Sequence, residues 1–194
     1  MENAVDAIGS LPGIGSRSAL RLALHLLSQP KENVHIFTSA VDELVDGVKY
    51  CSECMMISDS EVCSICSDQK RDHNIICVVE SVRDVMSIEA TGQYHGVYHV
   101  LGGVISPING IGPADLTIRQ LVERLSDKSE VEVILALRGD VEGDTTSFYI
   151  FRQIERPGLK VSSLARGLGF GDDLEYADPL TLGRSIANRQ EFKP

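Results

Sequence analysis

The sequence is short of positive charge. Its 18 Lys plus Arg stand against 28 Asp plus Glu, for a formal net charge of −10. A surface that acidic repels nucleic acid, so any DNA or RNA contact has to come from a local basic patch. The chain also lacks the run of about 18 apolar residues a helix needs to cross a bilayer, so no membrane partner is expected. Its first residues, MENAVDAIGS, lack the basic-then-apolar layout of a secretory leader. A cytoplasmic location is therefore expected, where thiols stay reduced and a disulfide framework is disfavoured. No G-x-x-x-x-G-K-[ST] occurs, so P-loop nucleotide hydrolysis is not expected. What is present is ordinary globular composition, 43% hydrophobic and 24% charged over 194 residues. That length suits one large domain or two to three small ones in series.

Four of the five cysteines are crowded into CSECMMISDSEVCSIC, where Cys51, Cys54, Cys63 and Cys66 follow C-x2-C-x8-C-x2-C. Two residues between thiols let both sulfurs of one knuckle reach the same ion. The longer excursion lets the second knuckle fold back and complete a tetrahedral shell at roughly 2.3 Å per Zn–S bond. Four thiolates leave no open coordination position, so the expected zinc is structural, and it stabilises a segment too small and polar to own a core. A redox CxxC or chance spacing is the alternative. His73 is close enough in sequence to be a spare ligand, and Cys77, inside IICVV, is expected to be a buried strand residue.

Charge is unevenly spread. Between Asp6 and Glu32 there is no acid, while Arg17, Arg21 and Lys31 are basic. Within that stretch, LPGIG reads as a tight turn in which Gly13 and Gly15 permit backbone conformations other residues resist. A helix is expected from Ser16 to just before Pro30, with Leu20, Leu24 and Leu27 forming a buried stripe and Arg17 and Arg21 sharing a different face. Glycines let turn N–H groups approach a phosphate closely, and the helix N-terminus adds partial positive charge. The stretch resembles the helix-hairpin-helix module, which grips nucleic-acid backbone without reading sequence. The bland alternative is a plain helical hairpin. A further helix is expected over 34–50.

After the cysteines, apolar strands alternate with helices. NIICVVE, HGVYHVLGG, EVEVILAL and GLKVSSLA read as strands. SVRDVMSIEATG, GPADLTIRQLVERLSD (with Pro113 in its first turn and Ile118, Leu121, Val122 and Leu125 inward) and TSFYIFRQIER read as helices. This alternation implies a parallel sheet covered on both faces, with sites beyond the strands' carboxyl ends. Glu80 follows one strand and Glu142-Gly143-Asp144 follows another, an arrangement that resembles the Toprim pattern. Carboxylates there could hold Mg²⁺. Alternatively they are local: Ser81 with Asp84 fits a capping box, and Asp144 can cap a helix from Thr145. None of Tyr94, Tyr98, Tyr149 and Tyr176 adjoins a catalytic signature, so no catalytic residue is assigned. The expectation is a Toprim fold used for contacts, with an Mg²⁺-dependent nuclease or primase-like enzyme as the alternative.

Taken together, helix-hairpin-helix, four-cysteine knot and Toprim-like domain, with LPGIGSRSALRLALHLL, YHVLGGVISPINGIGPADLTI and ARGLGFGDDLEYADPLTLGRSI, resemble the bacterial RecR family of recombination mediators over nearly the whole chain. The resemblance implies a non-enzymatic DNA-repair protein that binds single-stranded, double-stranded or gapped DNA. It implies work with RecO and RecF, indirectly with RecA, in the nucleoid, as a ring-like oligomer, often a tetramer. It places DNA contacts on Arg17 and Arg21 with Gly13 and Gly15, zinc on the four cysteines, and part of the RecO surface on Glu80, Glu142 and Asp144. It divides the chain into a DNA-binding domain (1–50), a four-cysteine zinc finger (51–73), a Toprim domain (74–170) and an oligomerisation tail (171–194). The tail's helix is expected to open at Pro179, with Leu182 and Ile186 on one face. One departure is LRGDVEGD, where members carry Asn-Pro-Thr before Val-Glu-Gly; Arg138 and Asp140 change the charge beside the partner surface.

Overall fold

The structure, a computed structural model, describes residues 1–165, 167, 168 and 173–189. Part of the ARGLGFGDDLEYADPLTLGRSI motif thus lies outside the described residues, as does the end of the expected tail. The chain forms two compact units, Met1–Val48 and Lys49–Pro194.

The first unit holds three helices, α1 (Glu2–Gly9), α2 (Ser16–Ser28) and α3 (Lys31–Gly47). Between α1 and α2, Gly13 takes φ +80, the left-handed conformation that the turn requires and glycine adopts without strain. Helix α2 stops where Gln29 and Pro30 become extended, because the residue before a proline is pushed out of the helical region. The expected leucine stripe is not buried: Leu20, Leu24 and Leu27 are 41%, 50% and 70% exposed, and Ala19 and Ala23 are buried instead. Small side chains let α1 and α2 approach closely, and a Cβ added at Gly9 would sit 3.6 Å from that of Ala19. A 48-residue unit encloses too little volume to bury large side chains as well. Ile36, Phe37, Val41, Leu44 and Val45 of α3 are exposed too.

The second unit opens with a small antiparallel pair, β1 (Lys49–Tyr50) and β2 (Ile57–Ser58), and the one-turn helix α4 (Ser64–Ser67). A four-stranded sheet follows, built from β3 (Asp72–Val79), β4 (Gly96–Val100), β5 (Val131–Ala136) and β6 (Leu159–Ser163) in the order β4-β3-β5-β6. All three pairings are parallel. The connections are α5 (Val82–Glu89), α6 (Ile118–Leu125) and α7 (Val141–Ile154), and α8 (Pro179–Ala187) lies in the tail. Because successive strand residues point to opposite faces, Ile76 and Val78 pack with Val97, Val133, Leu121 and Ile150 on one side. Cys77 and Val79 pack with Tyr98, Val100 and Val85 on the other. Cys77 is thus the buried strand residue expected of it. Burying each such side chain stabilises by about 1.5–3 kcal/mol.

Four helices differ in their bounds from the sequence reading. The helix expected over 34–50 is α3, which starts at Lys31, directly after Pro30, and ends at Gly47, so that Lys49 and Tyr50 pair as strand β1 instead. Pro113 opens a separate 3-10 turn, Pro113–Asp115, and α6 begins only at Ile118. The chain stays non-helical between them because the Thr117 hydroxyl donates to the carbonyl of Val100 at 2.7 Å, pinning the connection to the sheet. Helix α5 ends at Glu89, ahead of the turn in which Gly92 adopts φ +63. Helix α7 begins a turn earlier than expected, because Asp140 caps it by accepting from the N–H of Gly143 at 2.9 Å. The capping box of Ser81 and Asp84 is formed as expected.

Candidate metal centre and nucleic-acid interface

The backbone around β1 folds so that the thiols of Cys51, Cys54, Cys63 and Cys66 converge. Their Sγ atoms all lie within 4.8 Å of one another, and all four residues are buried. The first knuckle closes through Met55 N–H to Cys51 O at 3.0 Å, and Met55 takes φ +61 to make it. The second uses the first turn of α4, where Cys66 N–H points at Cys63 Sγ at 3.4 Å. Tetrahedral zinc with bonds of roughly 2.3 Å sets sulfurs about 3.8 Å apart, and Cys54 and Cys63 stand at 3.6 Å. Burial alone would push Cys51 up, but the N–H groups of Cys63, Cys54 and Glu53 outweigh it and bring the thiol down to about 7. Hydrogen bonding with Cys66, then burial, pushes Cys54 well above the usual thiol range. Burial, with the Cys54 thiol behind it, drives Cys63 up to about 11. Thiols so packed become thiolates together only around a cation, so this donor set fits Zn²⁺. His73 is not brought in: its Nε2 meets the carbonyl of Asp68 at 3.2 Å.

The Toprim carboxylates are each engaged by neighbouring side chains, with Arg138 lying against two of them. Strands β3 and β5 are parallel neighbours with Val79 opposite Ala136, so the residues just past their ends meet. There the Arg138 backbone N–H donates to Glu80 Oε1 at 2.6 Å. The same residue's guanidinium donates to Oε2 at 2.8 and 2.6 Å. The pairing raises Arg138 further above its already high range. Arg138 also lies 4.0 Å from both Asp140 and Glu142. Glu142 accepts from the Ser106 hydroxyl at 2.5 Å, and Asp144 pairs with Arg184 of α8 at 2.8 Å. Among the described residues the cysteines alone form a cluster able to hold a metal ion. Gly143 has its own local cause, since a Cβ there would collide with the Arg138 carbonyl. Sequence reasoning treated Arg138 as a changed charge and missed it as the counterion of Glu80. The readable signal was that adjacent parallel strands end in Glu and Arg. Arg184 carried no such signal.

In the first unit, Arg17 and Arg21 are both exposed on α2, four residues apart and on one side of the helix. Neither makes an ion pair among the described residues. The N-cap is Gly15, extended and without a side-chain cap, so the first N–H groups of α2 are not taken by a capping side chain. Gly13 and Gly15 have no atom within 4 Å of an added Cβ, which leaves this turn open to approach from outside. No helix among the described residues is long and apolar enough to cross a membrane.

Comparison with known proteins agrees along the chain. Residues 1–45 match the RecR helix-hairpin-helix model, 48–68 the RecR four-cysteine zinc finger domain, 74–165 the Toprim domain and 167–190 the RecR C-terminal model. A protein of Porphyromonas gingivalis named Recombination protein RecR is 55% identical over 192 residues, 99% of this chain and 93% of its own. One of Bacteroides thetaiotaomicron with the same name is 55% identical over 192 residues, 99% of this chain and 94% of its own. That of Flavobacterium johnsoniae is 53% identical over 193 residues, 100% of this chain and 94% of its own. Full-length identity at this level, with the four-cysteine zinc finger and its structural zinc built before a Toprim sheet, places the chain in the RecR family of recombination proteins.

Proposed function

We propose that this protein is a non-catalytic, DNA-binding recombination mediator. It acts with RecO and RecF to promote RecA loading at single-stranded gaps, as a ring-like oligomer. The observation that carries the reading is the pair Arg17 and Arg21, exposed and making no ion pair among the described residues, on a helix whose N-terminus no side chain caps, in a chain of net charge −10. Glycines beside that N-terminus let a phosphate come close to the backbone N–H groups. Two arginines alone grip weakly and in a salt-sensitive way. Several copies around one strand raise effective concentration without new contacts. The exposed apolar side chains of α2 and α3 support self-association. So does a largely apolar groove of about 760 Å³ in the first unit, lined by Met1, Ala4, Ala23, Leu26, Leu27 and Val34.

The Toprim strand ends serve contacts in this reading, because arginines rather than open coordination space meet Glu80 and Asp144. Ile108 and Val141, 94% and 81% exposed, lie beside Ser106 and Glu142 and suit a partner with an apolar anchor. Replacing Arg17 and Arg21 together by Ala tests the DNA reading. Duplex affinity, measured by fluorescence anisotropy against salt, is expected to fall, with the log–log slope shallower by about 2, one phosphate per arginine. Unchanged affinity and slope would leave an adaptor without a DNA role. Incubating labelled gapped DNA with the protein and Mg²⁺ checks the absence of turnover, and any cleavage or synthesis overturns it.

A further inference from the structure

The ligands of the metal centre leave a charge unanswered. Four thiolates around Zn²⁺ carry a net charge of −2 in a buried site, where uncompensated charge is costly. Backbone dipoles offset part of it: Cys63 N–H points at Cys51 Sγ at 3.3 Å and Cys66 N–H at Cys63 Sγ at 3.4 Å. The remaining partner comes from the Toprim half of the unit. In the last turn of α6, Arg124 has a side chain only 10% exposed, and its Nη2 lies 3.6 Å from Glu53 Oε2. The same nitrogen stands 3.9 Å from Cys66 Sγ. Its other nitrogen, Nη1, donates to the backbone carbonyl of Tyr98 at 2.6 Å.

That carbonyl matters because β4 is an edge strand. An open edge presents unpaired N–H and C=O groups to other chains. Here several of the outward groups are taken by neighbouring groups. Arg71 donates to Gly96 O at 3.0 Å, Arg124 takes Tyr98 O, and Val100 N–H donates to the carbonyl of Cys54, itself a zinc ligand, at 2.8 Å. One guanidinium therefore touches the metal centre and the strand that the centre covers.

We propose that Arg124 is the outer-shell partner of the zinc: it donates to the Cys66 thiolate, tempers the charge of the centre and fastens the knot to the edge of the sheet. The planar fork is what permits this, since its separate N–H groups reach a sulfur, a carboxylate and a carbonyl at once, which a compact ammonium does not. Outer-shell partners of this kind orient ligands and change metal affinity by about 10–100-fold when removed.

The test uses the full chain with Arg124→Met, which keeps the packing length, and Arg124→Lys, which keeps the charge without the fork. Zinc affinity is measured by chelator competition, and the sulfur-to-metal charge-transfer band is recorded on the Co²⁺-substituted protein. Loss of the hydrogen bond raises the sulfur lone-pair energy. Arg124→Met is therefore expected to weaken zinc about 10–100-fold and to move the band to longer wavelength, with Arg124→Lys between it and the parent. Weakened affinity with an unmoved band means that Arg124 only caps Tyr98, and overturns the proposal; so does unchanged affinity. If Arg124→Met does not fold, Arg124→Lys decides alone: a shifted band supports the proposal and a parental band with parental affinity refutes it.

Discussion

In Met1–Val48, Ala19 and Ala23 are buried while most leucines of α2 and most large apolar residues of α3 face outward; in Lys49–Pro194 the sheet buries Ile76, Val78, Val97, Leu121, Val133 and Ile150. Both regions have helices with apolar periodicity, so the difference lies in what is available to pack against. A four-stranded sheet supplies two flat faces, and helices on each face exclude water from both. Three short helices supply no such surface. The second region is stable through its own core and its zinc. The first leaves apolar and basic side chains exposed on its helices.

The comparison can be broken in four ways. Cys63→Ser removes one of four zinc ligands and should have the largest effect. Zinc content should fall to near zero, with loss of much of the stabilisation that structural zinc contributes, about 10–16 kcal/mol in isolated fingers. Hydrogen exchange should then speed up at Val100, whose N–H rests on Cys54. Leu121→Ala, in the core, should cost about 2–5 kcal/mol in denaturant unfolding.

Glu89→Gln comes third. Glu89 accepts from Arg71 at 2.9 and 2.5 Å and from the Tyr98 hydroxyl at 2.6 Å. The Arg71 guanidinium, with Tyr98 behind it, holds the carboxyl below its ordinary 4.5. A carboxyl with a depressed folded value stabilises fully above its unfolded value and loses that contribution as pH falls through the folded one. The variant should therefore be about 1–3 kcal/mol less stable at neutral pH. Its deficit should shrink as pH drops below about 4.5, as followed by acid titration of circular dichroism; a deficit constant with pH would detach Glu89 from the arginine. Leu24→Ala comes last, with under about 0.5 kcal/mol on unfolding of the chain itself. Under the proposed ring-like assembly, its measurable effect should be in sedimentation, as a weakened oligomer. If it destabilised the chain as much as Leu121→Ala, the contrast between the two regions would fail.

Much of this was readable along the chain. The spacing of Cys51, Cys54, Cys63 and Cys66 specified a four-sulfur centre, the apolar runs specified a parallel sheet, and Gly13, Ser16 and Pro30 bracketed α2. Those signals are local or periodic, and the chain within a turn or strand of each residue suffices to express them. The leucine stripe was misread because periodicity reports which face is apolar, not whether anything covers it. The alternative reading of Asp144 as a helix cap fails because Asp140, four residues earlier, takes the extended conformation of the N-cap.

What the sequence determined by itself, then, is the order of elements, the metal-ligand set and the location of unopposed positive charge, because each rests on neighbours in the chain. What only the tertiary structure decided is pairing at long range: Arg138 on Glu80, Arg184 on Asp144, and Arg124 between Cys66 and Tyr98. Those contacts depend on strand register and on which helix turn lies over which edge. Register is set by the simultaneous packing of both sheet faces, a property that no single stretch of sequence carries.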